Sequence, residues 1–277
     1  MKVYVMTDLE GVAGVLSGRT CIQPGDIFYE RAVRLTTMET NAAIEGLFAG
    51  GATEVVVSDG HGWGAIDPEL LDPRAALIAG GYRDRRFRLD TSFDGLCYVG
   101  QHAKAGTPFS HLTHTGSHSI IDQKLNGLSI GEYGEFVLTA SEMGVRVFLA
   151  CGENALCEEA LQLTPWIHTV PVKWGLMPDG LDHVSEEDYA ASKQSALHLS
   201  PTEARARIRT GAEAAIRDLR KNPERFELLK LPPPYVLEMW LRASAKRESP
   251  AKYGVRRHST SISGAFEAEL QFRDIAV

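Results

Sequence analysis

Short β-rich apolar runs, separated by segments with helical spacing, constrain this chain more than any other feature. Val3-Tyr4-Val5-Met6 is followed by residues 27–47, whose apolar positions recur at helical spacing until Gly50-Gly51 ends them. Val55-Val56-Val57 is a second buried-strand run. The order is strand, helix, strand, and it continues. Residues 75–78, 96–99 and 145–150 read as strands, and 132–143 and 153–163 as helices. Residues 119–123 and 128–130 flank Asn126-Gly127, a strong hairpin-turn signal. This alternation predicts an α/β chain built around a three-layer αβα domain.

Past about residue 171 the pattern loosens. Residues 175–194 are polar, with Pro178, Gly180 and the acidic run Ser185-Glu186-Glu187-Asp188, which reads as a loop and a capped helix start. Residues 201–220 form a charged amphipathic helix with Pro201 in its first turn. Pro232-Pro233-Pro234 then stiffens the approach to a strand over 236–241. The expected organisation is an α/β domain over 1–172 and a smaller α+β subdomain over 173–277.

Composition narrows the function classes. The 277 residues are 44% hydrophobic, enough for one large core or two smaller ones. A formal charge of −7 argues against a nucleic-acid partner, which selects for a basic face. The basic stretches at 82–88 and 246–257 therefore read as solvated loops. No apolar run approaches the roughly 18 residues of a bilayer span. A core strand at the very start leaves no room for a signal peptide, so a cytoplasmic protein is expected. Cys21, Cys97, Cys151 and Cys157 follow no CxxC or zinc-ribbon spacing and read as buried neutral thiols.

Acids and imidazoles gather where the apolar runs stop. Asp8 and Glu10 follow the first run, His61 closes Ser58-Asp59-Gly60-His61, His102 follows Gly100-Gln101, and Glu132 opens Gly131-Glu132-Tyr133-Gly134. Carboxyl ends of strands in an open α/β sheet share one edge, so these groups can converge there. Three carboxylates and two imidazoles are a ligand set suited to zinc or a similar divalent ion. Two ions about 3.5–4 Å apart commonly share a bridging carboxylate, and Asp8 is the candidate bridge. Asp59 is a candidate to orient His61 through its other ring nitrogen. Each group also has a bland reading. A DxE pair after a strand can cap a turn, Glu132 can be a favourable charge in a helix's first turn, and the histidines can be satisfied polar residues. Only the joint pattern points to a metal.

Five segments in register carry a family resemblance: Asp8-Leu9-Glu10-Gly11-Val12-Ala13-Gly14, Ser58-Asp59-Gly60-His61, Gln101-His102-Ala103-Lys104 with Thr107-Pro108, Leu112-Thr113-His114-Thr115, and Gly131-Glu132-Tyr133-Gly134. They resemble the signature segments of the M55 metallopeptidases, the D-aminopeptidase family, across residues 1 to about 175. The resemblance implies an aminopeptidase with two zinc ions per subunit on an α/β fold. Asp8 would bridge them, Glu10 and His61 completing one site, His102 and Glu132 the other. It also implies a homo-oligomer, a decameric ring, acting on short peptides or aminoacyl amides. His114 matches the family's catalytic histidine, with His111 as the alternative; His118 reads as structural.

The chain departs from the family pattern in places. Phe136 stands where relatives carry asparagine after the glutamate ligand. Glu135, one residue earlier, either faces the crevice or solvent. Residues 175–194 are longer than their counterpart and read as a lid or an oligomer contact, and the chain ends short of a terminal helix. Two other functions suit the same residues: a metal-dependent phosphohydrolase, which normally wants more arginine or lysine near the phosphate, and a non-catalytic peptide-binding ring protein that retains metals.

Overall fold

A computed structural model describes residues 1–80 and 88–275. The basic stretch at 82–88 thus lies almost wholly outside the described residues. The chain opens with β1 (Lys2–Thr7), α1 (Tyr29–Gly50), β2 (Glu54–Asp59), β3 (Ala75–Ile78) and β4 (Gly95–Gln101). A hairpin of β5 (Ile120–Leu125) and β6 (Leu128–Ser129) leads to α2 (Glu132–Glu142), β7 (Arg146–Glu153), α3 (Asn154–Leu163) and β8 (His168–Gly175). Then come α4 (Glu186–Ala191), β9 (Ala196–His198), α5 (Pro201–Lys221), β10 (Tyr235–Leu241), β11 (Lys252–His258), α6 (Ile262–Glu267) and β12 (Gln271–Asp274).

Among the described residues, one sheet has the order β3-β2-β1-β4-β7-β8-β9, parallel throughout except for β9. Side chains on β1 alternate between its faces. Val3 and Val5 pack with Ile44 and Leu47 of α1 and with Ile208 and Ile216 of α5. Tyr4 and Met6 pack instead with Tyr133 and Phe136 of α2 and Leu156 of α3. Both faces are covered, which is why β1 and β2 read as continuous apolar runs. This is the three-layer αβα arrangement expected. Phe136 joins this core, its ring 5.8 Å from that of Tyr4. Cys21, Cys97, Cys151 and Cys157 are free and buried, as expected, and burial pushes the Cys97 and Cys151 thiols up.

Local signals explain the element ends. Gly51 takes a left-handed φ of 109° and donates its N–H to the carbonyls of Leu47 and Phe48, closing α1. Ser200 caps α5 through the N–H of Glu203, and Ser185 caps α4 through that of Asp188. Asn126 and Gly127 both have positive φ, at 50° and 81°, as the tight β5–β6 turn requires.

The second sheet, β12-β11-β10-β5-β6, is antiparallel and packs Leu125, Tyr235 and Leu237 against Leu138 of α2 and Phe266 of α6. It draws strands from both sides of residue 172, while β9 and α5 return to the first sheet. Residues 252–257, expected as part of a solvated loop, belong to β11 instead. Its basic residues hid the strand: Arg256 is buried and donates to the Ala268 carbonyl at 3.0 Å. Glu142, at the end of α2, accepts the N–H groups of Ile262 at 2.6 Å and Ser263 at 3.0 Å, fastening α6. Among the described residues, no helix is long and apolar enough to cross a membrane.

Candidate metal centre

From β1 the chain runs outward to β2 and β3, then returns to place β4 on the other side of β1. The carboxyl ends of β1 and β4 therefore border a topological switch point, where a crevice opens in sheets of this kind. Asp8 and Glu10 follow β1, His102 follows β4, and His61 follows β2. Strand ends approach very closely here. Gly11 donates its N–H to the Gly100 carbonyl at 2.7 Å, and Gly100 has a φ of 76° that favours glycine.

Two clusters result. In each of Asp8, Glu10, His61 and His102, His114, Glu132, one ligand atom per residue lies within 4.8 Å of the others. His61 Nδ1 is 3.2 Å from Glu10 Oε2 and 3.4 Å from Asp8 Oδ1. His102 Nε2 is 3.4 Å from Asp8 Oδ2 and 3.7 Å from Glu132 Oε1. Asp8 thus turns one oxygen toward each cluster. His114 Nε2 lies 3.7 Å from Glu132 Oε1, and its ring stacks on His102 with centroids 4.2 Å apart.

Hydrogen bonds at the far ring nitrogens fix the tautomers of the neutral imidazoles. His61 Nε2 faces the Ile22 carbonyl at 2.7 Å, His102 Nδ1 that of Ala103 at 2.8 Å, and His114 Nδ1 that of Leu112 at 3.0 Å. A neutral ring donates its N–H there, so its lone pair is directed at carboxylate oxygens. Glu10 Oε2 and His102 Nε2 are buried without a hydrogen-bond partner. Lone pairs facing lone pairs in a buried pocket fit a cation between them.

Electrostatics agree with this fit. Burial and the charge of Glu10 push Asp8 up to about 7. Burial pushes Glu10 the same way, but His61 outweighs it and holds Glu10 well below the usual range. Burial should depress His61 and His102. Glu10 and Asp8 instead push His61 up to about 12, and Glu132 and Asp8 push His102 up to about 9. The pocket favours added positive charge, supplied by protons or by a metal.

All five expected ligands and His114 converge. His111 does not: it is buried, its ring 5.4 Å from that of His198, and burial depresses it to about 2. His118 lies against His114 with centroids 4.9 Å apart. Asp59 does not orient His61. Its carboxylate accepts the N–H groups of Ala65 at 2.8 Å and Ile66 at 3.1 Å, and the Ile22 carbonyl takes the role expected of it. Gln101, unassigned from sequence, donates to Glu132 Oε2 at 3.3 Å; its place beside His102 was the available signal. Glu135 accepts from Gln123 at 3.2 Å. Residues 176–195 cover the loop bearing His114: buried Lys193 donates to the carbonyls of Thr107 at 2.5 Å and Asp179 at 2.9 Å, and Tyr189 Oη accepts from Gly106 N–H at 3.1 Å.

The family model for Peptidase M55, described as D-aminopeptidase, matches residues 1–260. The chain belongs to this family. A curated relative, the D-aminopeptidase of Bacillus subtilis (strain 168), is 33% identical over 176 residues, 62% of this chain. That match spans 64% of the relative's length. Among solved structures, the Zn-dependent D-aminopeptidase DppA from Bacillus subtilis, described as a self-compartmentalizing protease, superposes with a TM-score of 0.76 at 27% identity. The superposition covers 87% of this M55 chain and 81% of DppA. The resemblance and the α/β fold read from sequence both hold.

Proposed function

We propose that this chain is a zinc-dependent aminopeptidase that releases N-terminal residues, D-residues among them, from short peptides or aminoacyl amides. One observation carries the reading: Asp8 turns its two carboxylate oxygens toward two separate ligand clusters, Oδ1 to His61 and Oδ2 to His102. Asp8, Glu10 and His61 would hold one zinc ion, and Asp8, His102 and Glu132 the second. When bound, the pair supplies the positive charge that polarises a carbonyl and lowers the pKa of water.

The chain's own residues do the rest. Gln101 and the Gly116 N–H, at 2.6 Å, hold the two oxygens of Glu132 in place. Because Asp8 Oδ2 turns toward His102, the second site would have three ligands without His114. We assign His114 to proton transfer. Burial and the neighbouring His102 lower its pKa, so the ring is neutral near pH 7. With Nδ1–H donated to the Leu112 carbonyl, Nε2 is free to accept a proton and hand it to the departing amine. Burial of Asp8, Glu10 and His102 strengthens these interactions, while His114 and Glu132 stay partly open to solvent, where a substrate can reach them. The description of DppA as self-compartmentalizing supports a homo-oligomer, and the resemblance a decamer, in which enclosure would restrict access to short substrates.

Metal-stripped protein, assayed before and after zinc is restored, tests the reading on L- and D-aminoacyl amides, dipeptides and phosphate esters. Amine release should appear only with zinc. Phosphate release without amine would refute it in favour of a phosphohydrolase; zinc binding with peptide retention and no turnover would indicate a binding protein.

A further inference from the structure

The backbone around the two clusters is gripped by buried charges that the metal-ligand reading leaves unused. Lys173, fully buried on β8, donates Nζ to the carbonyl oxygen of Glu10. Glu39, buried on α1, accepts the Ala13 N–H at 3.0 Å. Glu153, buried at the end of β7, accepts the N–H groups of Ala103, at 3.4 Å, and of His111. Lys173 and Glu153 are register partners across the β7–β8 pair. The grips on Glu10, Ala13 and Ala103 fall on or within three residues of Glu10 or His102, and that on His111 falls three residues before His114.

Of the three, Lys173 alone touches the backbone of a candidate ligand. Burying an ammonium is costly, and burial draws Lys173 down to about 8 although Glu153, Glu10 and Glu39 all favour its charge. A buried ionic group of this kind contributes little net stability compared with an apolar residue of similar volume. Its bond, however, restrains the Glu10 carbonyl itself, where the chain turns after Asp8 and Glu10; the Leu9 carbonyl and the Gly11 N–H there are held by Val12 and Gly100. Freed of that bond, the Glu10 peptide gains conformational freedom that a cation arriving there would have to remove.

We propose that Lys173 is a positioning residue: it clamps the Glu10 carbonyl so that the Asp8–Glu10 turn is set for metal capture before the metal arrives. The proposal rests on the reading of Asp8, Glu10 and His61 as one metal site. The clamp acts first on that site, through Glu10, since the site formed with His102 and Glu132 shares only Asp8 with the turn.

Zinc titrated into metal-free full-length protein, followed by calorimetry against a competing chelator, tests it. Lys173→Met removes the clamp. Lys173→Met/Glu153→Gln does so without leaving Glu153 unpaired, and Glu153→Gln alone is the control. Thermal melting of each metal-free protein reports folding separately. Both Lys173 variants should bind one zinc equivalent about 10–100-fold more weakly, the range for losing a group that orients a ligand. The loss should fall on one equivalent, beyond any change seen in Glu153→Gln, whose bonds to Ala103 and His111 lie on the side of His102. Wild-type affinity for both equivalents in the folded double variant would overturn the proposal, as would equal weakening of both. Loss of the folded state in both variants would also overturn it, assigning Lys173 to stability. Failure of the wild type to take up zinc would sink the metal reading itself, and this proposal with it.

Discussion

Gly11→Ala tests the close approach of the two strand ends that bring the clusters together. A Cβ at Gly11 would sit 2.0 Å from the Gln101 carbonyl oxygen, 2.5 Å from its carbon and 2.5 Å from the Gly100 oxygen. All three atoms are backbone, so no side chain can swing aside. Ordinary contact begins at 3.4 Å, so the turn after β1 and the end of β4 must part by 3.4 − 2.0, about 1.4 Å. That displacement falls between Asp8 and His102, now 3.4 Å apart. Overpacking of this kind costs about 1–3 kcal/mol. A misplacement of about 1 Å at a catalytic site costs on the order of 100-fold in rate. Urea unfolding should show the stability loss, and kcat/KM on a cleaved aminoacyl amide should fall by about that factor. A folded Gly11→Ala protein with wild-type zinc content and wild-type kcat/KM would refute the geometric reasoning.

Other perturbations separate fold from chemistry. His114→Ala should lower kcat by about 100- to 10,000-fold while both zinc equivalents are retained in metal analysis; loss of one equivalent would make His114 a ligand instead. Leu47, fully buried between α1 and the sheet, should cost about 2–5 kcal/mol as Leu47→Ala in a denaturant titration, and a loss under 1 kcal/mol would contradict its place in the core. Burial raises the Glu142 carboxyl, but its bonds to Ser263 and Ile262 win and hold it below the usual range. Its contribution is therefore present above the unfolded-state value of about 4.3 and is lost as pH falls through the lower folded value. Protection of the α6 amides, measured relative to the intrinsic exchange rate at each pH, should fall in acid, and Glu142→Gln should lower it already at pH 7; unchanged protection there would contradict the fastening role.

The first sheet was legible because β1, β2 and β4 are covered on both faces and so appear as uninterrupted apolar runs, with Asp8, His61 and His102 just beyond their ends. Parallel alternation made their convergence readable before any coordinates. The second sheet was not. Its central pairing joins Leu125 to Leu237, a contact that no local pattern encodes. Buried basic residues also masked strands: Arg256 sits in β11 and Lys173 in β8, each bound to a backbone carbonyl. At the site, the Ile22 carbonyl that orients His61 has no signature, because any residue at position 22 supplies one. Asp59 looked suited to that task by side-chain chemistry alone, yet its oxygens are taken by the Ala65 and Ile66 N–H groups.

Anomalous diffraction at the zinc edge, from crystals of the zinc-reconstituted protein, tests the central claim most directly. Two peaks should flank the Asp8 carboxylate, one beside Glu10 and His61, the other beside His102 and Glu132. A single peak, or zinc bound away from Asp8, would contradict the bridging role on which the proposed chemistry depends.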